Sequence, residues 1–156
     1  MNNFERLLAF ALEGQKYALS LSSVEKVFRA VEITPLPKAP TIVLGIINVR
    51  GRVIPVVDIR KRFGLPEREI GVSDHLIVAQ TPRRDVALVA DRVDGVIEID
   101  GREITRAEQI LPNAQHVAGV VKLAGDLLLI HDLAGFLSLD EETALNDALK
   151  ENTTLP

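Results

Sequence analysis

The chain has 156 residues, 47% of them hydrophobic and 4% aromatic, no cysteine, and a net charge of −4. Disulfides and thiolate chemistry are excluded, no apolar run approaches the ~20 residues of a membrane span, and the acidic balance disfavours nucleic acid as a main partner. The length suits one compact unit or two very small ones, and no basic region followed by a long apolar stretch marks a signal peptide.

Leu7–Leu12 is an apolar run of strand length. Glu13-Gly14-Gln15 reads as a turn, and Tyr17, Leu19 and Leu21 alternate as a second strand. Ser22-Ser23-Val24-Glu25 fits a capping box. Val24, Val27 and Phe28 then fall at i, i+3 and i+4, one face of a short helix that serves the core or a binding surface. Val31–Thr34 reads as a short strand, and Pro35, Pro37 and Pro40 stiffen the connector that follows.

Two apolar runs, Ile46–Val49 and Val53–Val57, flank the turn Arg50-Gly51-Arg52 and predict a β-hairpin. Pro55 cannot donate a ladder hydrogen bond and marks an edge or bulge. Asp58 suits the N-cap of a short helix over Ile59–Phe63, stopped at Gly64. Pro66–Asp74 is polar and forms the connection between halves.

Leu76–Ala79 and Val86–Ala90 predict strands about the turn Thr81–Arg84. Asp91-Arg-Val-Asp94 repeats the capping logic of Ser22–Glu25, with Gly95 ending the turn early, and Val96–Ile99 is a further strand. Thr105-Arg-Ala-Glu108 suits a capped turn before Ile110 and Leu111. Ser138-Leu-Asp-Glu141 fits a capping box for a helix carrying Ala144, Leu145, Ala148 and Leu149.

The central hairpin returns near the end of the chain. Gly45, Gly51 and Asp58 recur as Gly119, Gly125 and Asp132, each 74 residues on, with matching apolar positions between them. Features shared by both copies serve the fold; polar features in one copy only are better candidates for function. The first copy has Asn48, Arg50 and Arg52 where the second has Lys122, Ala124 and Asp126. Two β-rich halves sharing one core follow from this repeat, because short strands with regular turns build sandwiches or small barrels.

No Gly-x-Gly-x-x-Gly, Walker loop or Gly-x-Ser-x-Gly occurs, and His75, His116 and His131 lack metal-ligand spacing. His131 reads as a satisfied, partly buried side chain; a small hydrolase built on His131 and Asp132 is the enzyme alternative. Arg50, Arg52, Arg60, Lys61 and Arg62 form a basic group that reads as a solvated face or a protein-docking site. A nucleic-acid-binding barrel is the remaining alternative, but Phe10, Tyr17, Phe28 and Phe63 occupy core-like positions rather than a stacking platform.

Gly45–Arg60 strongly resembles the signature of CheW-like chemotaxis coupling proteins; Tyr17–Leu21 with Val24 and Val27, Val93–Val96 and Gly119–Leu123 match that family too. The resemblance spans roughly Leu7–Leu137. It implies a mainly all-β fold of two intertwined five-stranded SH3-like barrels related by a pseudo-twofold repeat, with short helices and a C-terminal helix. It is read as one domain over 1–156, with subdomains over about 7–65 and 75–137, strands free to exchange between them, and the helix over about 138–150.

The resemblance further implies a non-catalytic adaptor with no cofactor and no metal, cytoplasmic and associated with membrane receptor arrays. Its partners would be the cytoplasmic tip of chemoreceptors and the regulatory domain of the histidine kinase CheA, with no nucleic acid and no direct membrane insertion. A divergent pathway with an output other than motility is the alternative within the family. Receptor tips in the family dock at the groove between barrels, which carries over here to Val24, Val27, Phe28, Asn48 and Arg50. Where this chain has Lys26 the family usually has Glu, which can pair with the hairpin Arg.

Overall fold

The structure, a computed structural model, describes residues 3–106, 116–133 and 136–153. Eleven strands are present among them: β1 (Phe4–Leu12), β2 (Gln15–Ser20), β3 (Val24–Arg29), β4 (Val43–Val49), β5 (Arg52–Val57), β6 (His75–Gln80), β7 (Asp85–Ala90), β8 (Arg92–Asp100), β9 (Ile104–Arg106), β10 (Val117–Leu123) and β11 (Asp126–His131). The helices are α1 (Ile59–Arg62) and α2 (Leu139–Thr153).

The strands form two sheets, in the orders β3-β6-β7-β5-β4 and β8-β1-β2-β11-β10-β9. The halves are intertwined because each gives its leading hairpin to the other. β2 runs parallel to β11, with Tyr17 opposite Leu129, and β7 runs parallel to β5, with Ala87 opposite Val56. The 74-residue repeat is obeyed to the residue: β4 and β5 begin and end 74 positions before β10 and β11.

Each sheet curls into a small barrel. In the second-half barrel, β9 pairs with β10 and closes the curl. In the first-half barrel the same job falls to one bridge between Thr34 and Ile46, so the strand expected over Val31–Thr34 contracts to a single paired residue. Pro35 and Pro37 on its downstream side fix the backbone and lack amides, and the chain turns away there instead of extending the ladder.

Those crossings explain a glycine pair that turns do not. A Cβ on Gly45 would lie 2.4 Å from the Thr34 carbonyl oxygen, and one on Gly119 would lie 2.7 Å from Ile104 Cγ2 and 3.2 Å from the Thr105 carbonyl oxygen. Both glycines sit beside a bulge in their hairpin. The repeat preserves them because the closing segment passes directly over the hairpin backbone.

Strand β6 is apolar on both faces. Ile77 and Ala79 face a core between the sheets, with Phe10, Leu12, Leu19, Val57 and Leu88, whereas Leu76 and Val78 fill the first barrel with Ile47, Ile54 and Val56. This two-sided burial removes the polar alternation of a half-exposed strand. The second barrel has its own smaller core of Leu7, Ala18, Val121 and Leu128.

Asp58 caps α1 by accepting from the Arg60 N–H at 3.0 Å, as expected from the sequence. The capping box of α2 also forms: Glu141 N–H donates to Ser138 Oγ at 3.1 Å, and Ser138 N–H to Glu141 Oε1 at 2.8 Å. Leu145 and Ala148 then enter the inter-sheet core. Arg62, Arg84 and Lys38 pair with Glu141, Glu142 and Glu151, tying α2 to three separate elements.

Three local expectations give way to tertiary pairing. Ser22–Glu25 opens no helix: Leu21–Ser23 is a single 3₁₀ turn, and Val24–Arg29 is strand β3 paired with β6. The sheet supplies backbone partners and apolar neighbours that a one-turn helix lacks. Asp91 caps no turn either; β8 starts at Arg92 and runs through Gly95 to Asp100. Thr105 lies in β9, while Ile110 and Leu111 fall outside the described residues.

Gly45→Ala should destabilise the fold by about 1–3 kcal/mol or more, because a backbone carbonyl blocks the new methyl, and Gly119→Ala should cost less, because the Ile104 side chain that meets its methyl can shift where a backbone oxygen cannot. Denaturant unfolding of the two variants checks this.

Candidate functional site

The five residues proposed from the sequence lie on β3 and the β4–β5 hairpin. A bulge in β3 decides how they face. Val24 opposes Ala79 and Lys26 opposes Val78, so Glu25 is the extra residue. The bulge puts Val24 and Val27 in phase, both on the side of Ala79 and Ile77, facing the inter-sheet core. Thus a strand with one inserted residue achieves what the sequence suggested to be a helical face. Val24 packs on that core, and Val27 remains 38% exposed at the sheet edge.

Phe28 is turned the other way. It opposes Leu76 and packs on the first barrel's core, four residues and roughly 13 Å of strand from Val24. The structure therefore groups Val24 and Val27 on the inter-sheet side of β3 and turns Phe28 to the opposite side.

Asn48 and Arg50 form the tip of the β4–β5 hairpin. Asn48 Oδ1 accepts the Gly51 N–H at 2.8 Å, closing the turn. Arg50 is exposed and has left-handed backbone (φ 51°), and among the described residues it makes no hydrogen bond or ion pair. Ala124, its counterpart, does not share that backbone. Opposite Asn48, Val53 is 45% exposed and faces the same way.

Arg52 links the tip to β3. Its guanidinium donates to Glu25 Oε1 at 2.6 Å and to Asp85, joining the starts of β3, β5 and β7. Glu25 is therefore engaged by Arg52 and not by Arg50.

The basic group seen in the sequence divides by role. Arg60 is 5% exposed and is no part of a solvated face. It donates to Glu13, to Asp91 Oδ1 at 2.5 Å and to the Pro66 carbonyl at 3.0 Å. Arg68 joins Asp91 to Asp74, and Asp91 Oδ2 accepts the Glu13 N–H at 2.9 Å. Burial pushes the Asp91 carboxyl up, but hydrogen bonds from Arg60, the Glu13 amide and Arg68 outweigh it and hold the group below its usual range. This network ties the β1–β2 turn, α1, the connection after it and the start of β8. Arg62 stacks over Phe136 with its guanidinium carbon 5.3 Å from the ring centre, and Lys61 Nζ donates to the Thr41 carbonyl at 2.7 Å.

His131 is 4% exposed, more enclosed than its sequence position suggests, and neither ring nitrogen has a hydrogen-bond partner among the described residues. Phe63 and Phe136 pack on it at 5.2 and 5.0 Å. Desolvation first, and His116 second, lower its pKa to about 3. A neutral ring sealed between two phenylalanines gives a surface substrate no access to a base. Phe10, Tyr17 and Phe63 likewise stack on one another inside the molecule and offer bases no platform.

Among the described residues the β3 edge exposes Val27, and the hairpin tip exposes an arginine with no hydrogen bond or ion pair. The sequence model of the CheW-like domain matches residues 6–142. The chain belongs to the CheW-like domain family. Among curated relatives it is similar to the chemotaxis protein CheW of Rhizobium meliloti (strain 1021), 30% identical over 145 residues, covering 92% of this chain and 94% of that protein. It is similar also to the chemotaxis protein CheW of Thermotoga maritima, 33% identical over 133 residues, covering 85% and 87%. The crystal structure of the scaffolding protein TtCheW from Thermoanaerobacter tengcongensis superposes with a TM-score of 0.79 at 29% identity, covering 88% of this chain and 94% of that one. Two barrel-like subdomains are thus the CheW fold in this chain. Among the described residues no helix is long and apolar enough to cross a membrane.

Two outcomes separate structural from functional residues in this CheW-like domain. Arg60→Met removes the Glu13 carboxylate's cation and one of the two that Asp91 has, leaving Asp91 to Arg68, and should cost about 2–4 kcal/mol of unfolding free energy, read by urea denaturation. His131 stays neutral when folded and titrates near 6.5 when unfolded, so its contribution is complete above that pH and is lost as pH falls below it. Between pH 7.5 and 5 this amounts to about 2 kcal/mol. His131→Leu should flatten the pH dependence of stability over that interval.

Proposed function

We propose that this chain is a non-catalytic adaptor of a chemosensory pathway, bridging the cytoplasmic tip of chemoreceptors and the regulatory domain of the histidine kinase CheA. It would work in the cytoplasm, held at membrane receptor arrays by its partners. The observation that carries the reading is the pairing of Val24 and Val27 on the groove side of β3 with an unpaired Arg50 at the hairpin tip. Apolar contact along β3 supplies affinity, and Arg50 supplies orientation. Asn48 holds the turn that presents Arg50, and Phe28 supports β3 from the barrel core. The chemotaxis names of its relatives agree with this assignment.

Arg50 is exposed and makes no hydrogen bond or ion pair among the described residues, so Arg50→Ala should leave stability within about 0.5 kcal/mol of the parent. The same change should weaken binding to a receptor-tip hairpin from the same genome about tenfold. Calorimetric titration against that hairpin and against the kinase regulatory domain measures both arms. Unfolding of the variant would make Arg50 structural, and binding of the parent protein to neither partner would remove the adaptor reading.

A further inference from the structure

We propose that Arg52 is a positioning residue of the receptor-docking site, whose bridge to Glu25 and Asp85 locks the hairpin tip carrying Arg50 to the β3 bulge carrying Val24 and Val27. The proposal rests on the adaptor reading and adds to it how the two parts of the site are held in register.

Glu25 is the residue that the bulge inserts into β3, and its insertion is what brings Val24 and Val27 onto one face. Arg52 is the first residue after the turn that holds Arg50 in left-handed backbone. One guanidinium therefore joins the two irregularities on which the site depends, with Asp85 at the start of β7 as its second anchor. Its planar fork can hold two carboxylates at once in fixed directions, which an ammonium cannot do.

The other half of the molecule provides the contrast. It has the same bulge, with Asp94 as the inserted residue between Val93 and Gly95. It also has the same hairpin, with Asp126 where Arg52 stands, and Asp126 pairs with Lys16 on β2 at 3.4 Å. Asp94 is held instead by Arg92 of its own strand. Two carboxylates cannot bridge, so the tip and the bulge are left unconnected there. The tie between them is present only in the half that carries Arg50.

Stability does not account for the bridge. The Arg52 side chain is 50% exposed and Glu25 31%, a setting in which ion pairs contribute little to folding. What it fixes is geometry: a tip displaced by an ångström carries Arg50 away from the face formed by Val24 and Val27.

Three variants of the full chain test this by titration with the receptor-tip hairpin, alongside chemical denaturation. Arg52→Met should raise the dissociation constant about tenfold at an unchanged denaturation midpoint. Glu25→Gln combined with Asp85→Asn keeps Arg52 and releases its anchors. It should weaken binding as much, whereas an Arg52 that touched the receptor directly would be left free to do so. Asp126→Asn, which breaks the corresponding pair in the other half, should bind as the parent does. Parent-like binding by Arg52→Met or by the double variant, or a loss of folding that parallels the loss of binding, overturns the positioning role and leaves the adaptor reading standing. Failure of the parent protein itself to bind the receptor tip overturns both.

Discussion

Two short parallel pairings hold this molecule together. Val56 and Val57 of β5 lie against Ala87 and Leu88 of β7, and Leu128–Ile130 of β11 lie against Lys16–Ala18 of β2. Among the described residues every other strand pairing is antiparallel. Because each parallel contact joins a central hairpin to the leading hairpin of the other half, neither barrel can close without the other. The inter-sheet core is a consequence: β6, β7, β1 and β2 must each be apolar on two faces. The Glu13–Arg60–Asp91 network seals the same junction at its polar margin, where side chains reach water and a buried arginine can be matched by carboxylates.

The features readable from the sequence were those with a local cause. Gly51 and Gly125 mark turns because only small residues accept that backbone cheaply. Asp58 and Ser138 mark helix starts because their oxygens satisfy free amides within three residues. The 74-residue repeat exposed the hairpins at full length. What escaped was set at a distance. Val24–Phe28 has helical spacing, and only the pairing with β6, across some fifty residues, makes it a bulged strand. Arg60 lies among exposed basic neighbours in the chain, and only Glu13 and Asp91 from remote turns draw it inside. Gly45 resembles a turn glycine, yet its reason is a carbonyl eleven residues upstream.

The candidate site was legible only in part. Comparing the two copies was enough to single out Arg50 against Ala124. The sequence put Val24, Val27 and Phe28 on one helical face; the bulged strand keeps Val24 and Val27 together and turns Phe28 away. The division between Val27 on the inter-sheet side and Phe28 in the barrel was invisible, since it depends on one inserted residue. A bulge has no local signature here: Glu25 and Asp94 are ordinary charged residues whose insertion shows only in the register of β3 and β8.

The internal repeat therefore works as a comparison of two solutions to one architecture. Both halves need the glycine under the closing segment, the two-residue hairpin and the bulge, and both keep them. They differ in the chemistry placed on that frame. The second half ends its hairpin with Ala124 and Asp126, tied only to its neighbour β2. The first half ends it with Arg50 and Arg52, accepts a left-handed non-glycine residue at the tip, and ties that tip to the bulge. Such backbone costs of order 1–3 kcal/mol and persists only where the surroundings over-determine it. Asn48, whose Oδ1 accepts the Gly51 N–H, supplies that constraint. Since the matching turn folds without it, folding alone does not require it, and under the adaptor reading proposed above the left-handed tip is what presents Arg50.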